Sequence, residues 1–389
     1  MQLPMPDKAA LEHSQRLCDR ISEAIRVNNG FIDFATYMNM ALYEPGLGYY
    51  SSGSGKPGAE GDFITAPEIS PLFTRCLARQ VAEILHMVKK PYILEAGPGS
   101  GQMCCDLLLS LEQIECLPDK YLLLEVSADL RERQKILIET RIPRLANLVT
   151  WLDTLPDKKF NGIILANEVL DAMPVHRFTM RGGELFSHGV GISDGKFEWR
   201  TAEPEDSLKR HVYERLDGYL HNLPDSYTSE INIRIMPWLG SIADILAQGI
   251  VLLIDYGYPR HEYYHPQRSD GTLLCHYRHH VHADPFFYPG LQDITASVDF
   301  TAVAEAAVTS GLQVAGYTTQ AHFLIGCGLD EVIKSMELTS GPEKIDLRNQ
   351  VRLLTMPGEM GERFKVIALA KDVDSQLTGF RFLDHRSRL

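Results

Sequence analysis

The chain has 389 residues, 44% of them hydrophobic, and its 51 acidic and 38 basic side chains give a formal net charge of −13. This length allows one elaborated domain or two, and the negative charge repels phosphate backbones, so we do not expect a nucleic-acid substrate. No apolar run approaches the length of a membrane span, so we do not expect membrane insertion. Seven cysteines, without a Cys-x-x-Cys pair, argue against a disulfide framework. The first residues have neither an apolar signal core nor an Arg-rich bias, which predicts an unprocessed cytoplasmic protein.

Two helices and a glycine-rich loop are predicted at the start of the chain. Apolar residues at helical spacing predict helices over residues 10–27 and 33–43. Residues 46–68 contain many glycines and also carry aromatic residues such as Tyr49 and Tyr50. Long loops inside compact domains are usually active-site lids or disordered segments. Because a disordered linker has little use for aromatic side chains, we interpret this loop as a lid.

The stretch at residues 92–101 predicts a buried strand that runs into a ligand-binding loop. An amphipathic helix over 71–88 precedes it, and three glycines alternate with other residues after a short apolar run and an acid. Alternating glycines let the backbone take positive φ and approach a ligand closely. The residues of this motif are Glu95, Gly97, Gly99 and Gly101.

The spacing of these glycines decides between two kinds of cofactor. A dinucleotide fingerprint, Gly-x-Gly-x-x-Gly, requires a glycine where Gln102 stands. The stretch instead resembles motif I of the class I S-adenosylmethionine methyltransferases, which implies S-adenosylmethionine as the cofactor. The alternative is a tight strand-to-helix turn that binds no ligand.

A second apolar run, at residues 121–126, contains Glu125 near its end. In doubly wound sheets the ligand lies beyond the carboxyl ends of the strands, where an acid can accept hydrogen bonds from ribose hydroxyls. We therefore predict that Glu125 binds the ribose, with a solvated strand-end charge as the alternative. A helix follows to about residue 140. A short third strand is predicted at 148–151, and Trp151 or Asp153 is expected to touch the adenine, although Trp151 suits the core equally well.

The reacting group is expected after the fourth strand, residues 161–167. Asn167 ends this strand and is assigned to the cofactor, and Glu168 and Asp171 follow. A helical turn there would place both carboxylates on one side, since they are three residues apart. The alternative is that they are acids at a helix N-terminus, where the helix dipole stabilises negative charge. A fifth buried strand at 249–258 carries Asp255 and Tyr256 at its carboxyl end.

The regions around the fifth strand are predicted to form insertions and the end of the sheet. Alternating polarity at residues 176–202 predicts an antiparallel meander, followed by helices near 207–220 and 237–248. A histidine-rich segment, 261–282, is interpreted as a polar substrate loop rather than a metal site, because no carboxylate stands in a recognisable ligand frame. The remaining predictions are helices over 301–310, 321–336 and 343–354 and strands over 312–317 and 364–370.

Together these elements predict an α/β fold: a Rossmann-like, seven-stranded class I methyltransferase sheet with N-terminal helices, a lid and an inserted β-meander and helical substrate region. Residues 1–90 are expected to form the N-terminal helices and glycine-rich lid. Residues 91–389 are expected to form the methyltransferase domain, with insertions at about 175–248 and 257–300.

Several long motifs, in order, cover nearly the whole chain and resemble one family, the MidA proteins and the mitochondrial arginine methyltransferases that help to assemble respiratory complex I. They are Gly48-Tyr49-Tyr50, Gly61-Asp62-Phe63-x-Thr65-x-Pro67-Glu68, the glycine motif, Asn167-Glu168-x-Leu170-Asp171, Ile254-Asp255-Tyr256-Gly257 and Gln292-Asp293-Ile294-Thr295. The resemblance implies an S-adenosylmethionine-dependent protein methyltransferase, and for the mitochondrial members an arginine of a complex I subunit as the acceptor. The candidate substrate-binding residues are Tyr49, Tyr50, Asp62, Glu68, Tyr256 and His280.

Methylation of an arginine would require acidic side chains. A guanidinium has a pKa above about 12, so carboxylates must orient it and accept a proton as its nitrogen attacks. The candidate catalytic residues are Glu168, Asp171 and Asp255. An assembly factor that binds S-adenosylmethionine without turnover and a small-molecule methyltransferase are the alternative functions.

The glycine motif yields the first testable prediction. Gly99→Val is expected to abolish binding of S-adenosylmethionine and S-adenosylhomocysteine, because the side chain fills the space that the backbone leaves for the ligand. Calorimetry measures this directly, and an unchanged affinity in the variant would contradict the site assignment.

Overall fold

The computed structural model describes residues 3–52, 65–336, 341–374 and 376–389. The α-helices are α1 (Lys8–Val27), α2 (Phe34–Tyr43), α3 (Ala66–Ile69), α4 (Pro71–His86), α5 (Gln102–Gln113), α6 (Ala128–Arg141), α7 (Asp206–Leu216), α8 (Ile235–Ile245), α9 (Arg260–Tyr263), α10 (Phe300–Thr309), α11 (Gln320–Gly326), α12 (Leu329–Ser335), α13 (Gly341–Thr355) and α14 (Met360–Arg363). The strands are β1 (Ile32–Asp33), β2 (Pro91–Ala96), β3 (Lys120–Leu124), β4 (Val149–Leu152), β5 (Phe160–Asn167), β6 (His176–Arg181), β7 (Glu184–Ser193), β8 (Lys196–Ala202), β9 (Ser226–Ile231), β10 (Leu246–Tyr258), β11 (Leu274–Tyr277), β12 (His280–His282), β13 (Asp293–Thr295), β14 (Val298–Asp299), β15 (Gln313–Thr319) and β16 (Phe364–Lys371).

The chain divides into two compact units, each built from three separate stretches. Unit 1 comprises Met1–Phe63, Leu170–Ile235 and Tyr258–Asp299, and unit 2 comprises Ile64–Val169, Met236–Gly257 and Phe300–Leu389. The boundary expected at residue 90 remains a prediction.

Unit 2 contains the central sheet, whose strands follow the order β15-β16-β10-β5-β2-β3-β4. The five strands from β10 to β4 are parallel to one another, whereas β16 is antiparallel to both of its neighbours, β10 and β15. This is the arrangement expected of a class I methyltransferase sheet with an antiparallel end, and the predicted fold class is confirmed.

The central strands form because their sequences are continuous apolar runs, as required of parallel strands that are covered on both faces. Residues Ile163 to Ala166 of β5 and Ile250 to Ile254 of β10 are buried without a break. Side chains from α4 and α5 pack in one core with them. The predicted start of α4 is also confirmed: Pro71 is its first residue, and the Ser70 hydroxyl accepts a hydrogen bond from the Leu72 amide.

Two predicted helices of unit 2 differ from the structure. The helix expected over 237–248 ends at Ile245, and β10 begins at the next residue. The single helix expected over 321–336 is divided into α11 and α12. Gly328, with φ +83°, stands between them, and this left-handed conformation interrupts the helical repeat.

Unit 1 combines α1 and α2 with an antiparallel sheet in which β7 pairs with β1, β6 and β8, and β6 pairs with β9. The strands β6 to β8 form the predicted meander, whereas β9 was not predicted. The histidine-rich segment is also more ordered than a substrate loop would be, since β11 pairs with β12 and with β13. Apolar residues of α1, α2 and β7 share one core cluster.

The predicted lid falls only partly on described residues. Residues 53–64, which include Asp62, lie outside them. The segment before them is held against α2: the Tyr49 amide donates to the Ala41 carbonyl (3.0 Å) and the Tyr50 amide to that of Leu42 (2.9 Å). In this segment the chain is therefore folded onto a helix rather than extended as a loop.

No helix in the described part of the chain has the length and apolar character needed to cross a membrane.

Two glycines let the central strands β5 and β10 approach their neighbours closely. Gly162 and Gly249 face each other in the parallel register, with φ values of +141° and +142°. A Cβ atom on Gly249 would lie 1.8 Å from the Gly162 carbonyl oxygen. No L-residue fits there without moving the backbone of a central strand.

Gly249→Ala is therefore expected to lower the free energy of unfolding by about 3 kcal/mol, from overpacking together with strain at positive φ. Urea unfolding measures the change. Gly182→Ala is the control, because Gly182 also has positive φ (+57°) but no heavy atom within 4 Å of the added Cβ, and strain alone should cost about 1 kcal/mol. Equal losses in the two variants would contradict the close approach.

Candidate active site

The glycine motif forms a turn between β2 and α5 that only glycine suits. Gly97, Gly99 and Gly101 have φ values of +65°, +53° and +81°. A Cβ on Gly97 would lie 3.0 Å from Val169 Cγ2, whereas a Cβ on Gly99 would meet no described heavy atom within 4 Å. At Gly97 the loop therefore packs against the protein, whereas at Gly99 there is space beside the backbone. A loop that contacts a ligand needs such space.

Glu95, the acid of this motif, is almost fully buried, with 1% of its surface exposed. The Tyr121 hydroxyl of the neighbouring strand β3 donates a hydrogen bond of 2.6 Å to Glu95 Oε2. Burial penalises the charged form and raises the pKa of Glu95 to about 8, and the Tyr121 hydrogen bond opposes this shift.

Glu125 follows β3 directly and its carboxylate is held by two donors. The Ser127 amide donates to Oε1 (2.8 Å) and the Gln134 side-chain amide donates to Oε2 (3.2 Å). Burial raises its pKa, and these hydrogen bonds oppose the shift. A carboxylate accepts about four hydrogen bonds, so two acceptor positions remain for ribose hydroxyls.

Trp151 and Asp153, the residues expected at the adenine, have different surroundings. The indole N–H of Trp151 donates to Gln134 Oε1 (2.9 Å). Asp153 is 82% exposed and pairs with Arg131 (2.6 Å). Contact of either with an adenine remains a prediction. Gln134, which no sequence motif indicated, contacts both Glu125 and Trp151.

The carboxyl end of β5 and the adjoining part of β10 bring Asn167, Glu168 and Asp255 together. Asn167 lies opposite Ile254 in the parallel register, and the Glu168 amide donates to the Ile254 carbonyl (2.9 Å), so Glu168, just after β5, lies beside the part of β10 that contains Asp255. Asn167 Nδ2 donates to Glu168 Oε1 (3.1 Å). Its Oδ1 atom is buried and has no hydrogen-bond partner among the described residues. An unsatisfied buried acceptor at a strand end is a site for a ligand donor such as an ammonium group.

The prediction of a helical turn that places Glu168 and Asp171 on one side is wrong. Glu168 has φ +53°, a left-handed conformation that no helical turn contains, and the residues after it form no helix. Glu168 belongs to unit 2 and Asp171 to unit 1. A left-handed non-glycine residue costs about 1–3 kcal/mol and is common at functional sites.

In unit 1, three of the candidate residues, Tyr49, Tyr50 and Asp171, belong to a cluster of acids and tyrosines. The Tyr50 hydroxyl donates to Asp293 Oδ1 (2.9 Å), and its ring stacks on Tyr43 at 5.5 Å. Burial raises the pKa of Tyr43 far above its ordinary value, and the nearby Asp293 and Asp171 raise it further. Asp293 was not predicted as a site residue, although it belongs to the last of the sequence motifs. Tyr49 is buried in contact with the Tyr50 ring.

The other described substrate candidates have the following contacts. Glu68 of unit 2 accepts a hydrogen bond from the Ser100 hydroxyl (3.0 Å), which places it beside the glycine loop. The Tyr256 ring packs against Phe364. In unit 1, His280 Nδ1 donates to the Arg278 carbonyl within the β11–β12 hairpin. In the described residues no group of three or more His, Cys, Asp or Glu side chains is placed to hold a metal ion.

A family model described as "Putative S-adenosyl-L-methionine-dependent methyltransferase" matches residues 76–318. A solved "likely methyl transferase from Burkholderia thailandensis bound to S-adenosyl-homocysteine" is 38% identical, with a TM-score of 0.92 and 100% coverage of both chains. Two curated relatives are named protein arginine methyltransferase NDUFAF7, mitochondrial. The Drosophila melanogaster homolog is 28% identical over 88% of this chain and 82% of its own, and the Mus musculus protein is 29% identical over 88% and 81%.

These comparisons confirm S-adenosylmethionine as the cofactor and a methyltransferase as the class of enzyme. They also correct one prediction. The absence of a recognisable presequence predicted a cytoplasmic protein, but the curated relatives are named as mitochondrial, so that prediction is wrong.

Burial of Glu95 predicts a pH-dependent stability. Its pKa rises from an ordinary value of 4.5 in the unfolded chain to about 8 in the folded protein. The folded state thus retains a proton that the unfolded chain releases, and the resulting stability is complete below pH 4.5 and is lost as the pH rises through about 8. Glu95→Gln should therefore gain stability relative to the wild type between pH 5 and pH 9.

Urea unfolding at pH 5, 7 and 9 measures this gain. Glu184→Gln, at an exposed hairpin end, is the control and should leave the pH profile unchanged. A Glu95→Gln profile parallel to that of the wild type would show that Glu95 is ionised in the folded protein at neutral pH.

Proposed function

We propose, since this chain belongs to the family of S-adenosylmethionine-dependent methyltransferases, that it methylates an arginine side chain of a protein substrate, such as a subunit of respiratory complex I. The observation that carries the proposal is the pair of acids on neighbouring strands: Glu168 directly follows β5, which pairs with the glycine-loop strand β2, and Asp255 lies in the adjacent strand β10. A guanidinium remains charged at neutral pH, so a site that binds it needs such carboxylates. The names of the curated relatives support the same acceptor.

The cofactor is proposed to bind along the carboxyl ends of β5, β2 and β3. When bound, S-adenosylmethionine supplies a methyl group on a sulfonium leaving group. Gly97, Gly99 and Gly101 back its amino-acid part, and the free acceptor positions of Glu125 take the ribose hydroxyls. Asn167 Oδ1, buried without a described partner, accepts from the ammonium group, with Glu95 beneath the loop.

The catalytic work of the protein is orientation and proton removal. As the bond from a guanidinium nitrogen to the methyl carbon forms and the carbon–sulfur bond breaks, that nitrogen must lose a proton. We assign its acceptance to Glu168, whose strained backbone fixes the carboxylate beyond β5. Asp255 binds the other edge of the guanidinium, since planar guanidinium groups are recognised by charge-assisted hydrogen bonds. Asp171 is the third catalytic candidate.

The substrate-binding candidates are assigned for each unit by itself. In unit 1 these include Tyr49, Tyr50 and His280, to which we add Asp293 because it holds the Tyr50 hydroxyl. In unit 2 they are Glu68 and Tyr256. Asp62, outside the described residues, completes the predicted set.

Replacement of Glu168 tests the proposed chemistry. Glu168→Gln keeps the side-chain shape and removes the charge, so the affinity for S-adenosylhomocysteine should survive while methyl transfer falls about 100-fold or more. Labelled S-adenosylmethionine is incubated with the enzyme and the candidate complex I subunit, and peptides are analysed by mass spectrometry. The expected result is label on arginine with the wild type and with the control Glu184→Gln, and little label with Glu168→Gln.

Two outcomes would favour the other functions. Methyl label on lysine or on a small molecule would contradict the arginine acceptor. Binding of the subunit with S-adenosylmethionine left intact would indicate an assembly factor without turnover.

A further inference from the structure

A fully buried side-chain amide connects three parts of the cofactor site. Gln134 of α6 has 0% of its surface exposed. Its Nε2 donates to the Gly99 carbonyl (2.8 Å) and to Glu125 Oε2 (3.2 Å), and its Oε1 accepts from the Trp151 indole N–H (2.9 Å). Because an indole only donates, and a carbonyl and a carboxylate only accept, this orientation of the amide is the one that satisfies all three partners.

The sequence of α6 places this amide where an apolar residue would ordinarily stand. Leu130, Gln134 and Ile138 recur every fourth residue and are the buried residues of the helix. The stem of Gln134 also packs on the glycine loop, since a Cβ on Gly101 would lie 3.2 Å from its Cγ. The helix is fixed at its start by Ser127, whose hydroxyl accepts from the Leu130 amide (3.4 Å).

The network leaves Glu125 little freedom. Of the two donors that hold its carboxylate, one is the backbone amide of Ser127 and the other is Gln134. Without Gln134 the Oε2 oxygen would lose its side-chain donor, and the carboxylate would be less restrained until a ligand ordered it. Ordering a side chain on binding reduces affinity, whereas a side chain held beforehand does not incur this loss.

We propose that Gln134 is a positioning residue for the cofactor: it joins the glycine loop, the ribose carboxylate Glu125 and the Trp151 indole into one preorganised cradle and thereby determines how strongly the ribose hydroxyls are recognised. The inference rests on the proposed role of Glu125. Gln134 itself does not touch the ligand in this assignment and acts through the groups that do.

Calorimetry with two ligands tests the inference. S-Adenosylhomocysteine and its 2′-deoxy analogue are titrated into the wild type and into Gln134→Met, which keeps the length and removes the amide. The variant should bind S-adenosylhomocysteine about 10- to 100-fold more weakly, as expected when hydrogen bonds to a charged group are lost. Its preference for the ribose ligand over the deoxy analogue should shrink, an effect that general loosening of the core would not produce. Gln113→Met, at an exposed position in α5, is the matched control.

A double-mutant cycle shows whether the effect passes through Glu125. If it does, Gln134→Met should weaken binding much less in a Glu125→Gln background than in the wild type, because coupled residues are not additive. Trp151→Phe keeps an aromatic ring and removes only the N–H donor. Trp151→Phe should weaken binding of S-adenosylhomocysteine severalfold. This variant tests the inference if Gln134→Met does not fold.

The outcomes separate the inference from the cofactor assignment. If Glu125→Gln weakens binding and abolishes ligand preference while Gln134→Met and Trp151→Phe bind like the wild type, Gln134 is a core amide only and the inference is overturned. If Glu125→Gln itself leaves affinity unchanged, the ribose role of Glu125 fails, and the cofactor-site assignment fails with it. Fully additive effects in the cycle would also overturn the inference.

Discussion

The parallel alignment of β4, β3, β2, β5 and β10 is the constraint on which the site depends. In a parallel sheet all strands end at the same edge. Residues that follow different strands, and that are distant in sequence, therefore become neighbours in space. Ala96 pairs with Leu124 on one side and with Ala166 on the other, and Asn167 pairs with Ile254. The positions of the glycine loop, Glu125, Glu168 and Asp255 thus follow from one register.

Polar groups at that edge are buried to different degrees and are satisfied differently. Gln134 uses both donors and its acceptor within the protein, whereas Asn167 keeps a buried acceptor without a described partner. The hydrogen bonds of Gln134 make the surrounding groups more rigid. The buried Asn167 oxygen can still accept a hydrogen bond from a ligand. Glu168 adds backbone strain at the same edge, held by its hydrogen bond to Ile254.

Sequence patterns predicted the parts of the molecule whose signals are local. Buried parallel strands are continuous apolar runs, so β2, β5 and β10 were found, and glycines and acids near strand ends marked the edge at which the cofactor is proposed to bind. Gln134 was missed because its role depends on distances to residues 35 and 17 positions away. Its local signal was a polar residue at a core position of a helix. The turn at Glu168 was mispredicted because nothing local in the sequence required a left-handed residue there.

The position of β16 within the sheet has a consequence for synthesis. This strand, Phe364–Lys371, is the last in the described chain, yet it lies between β10 and β15 rather than at an edge. While the chain is still emerging from the ribosome, β15 has no partner strand in the sheet and one side of β10 is unpaired. The antiparallel end of the sheet can therefore close only after β16 has been made, and until then an apolar edge is exposed to other chains.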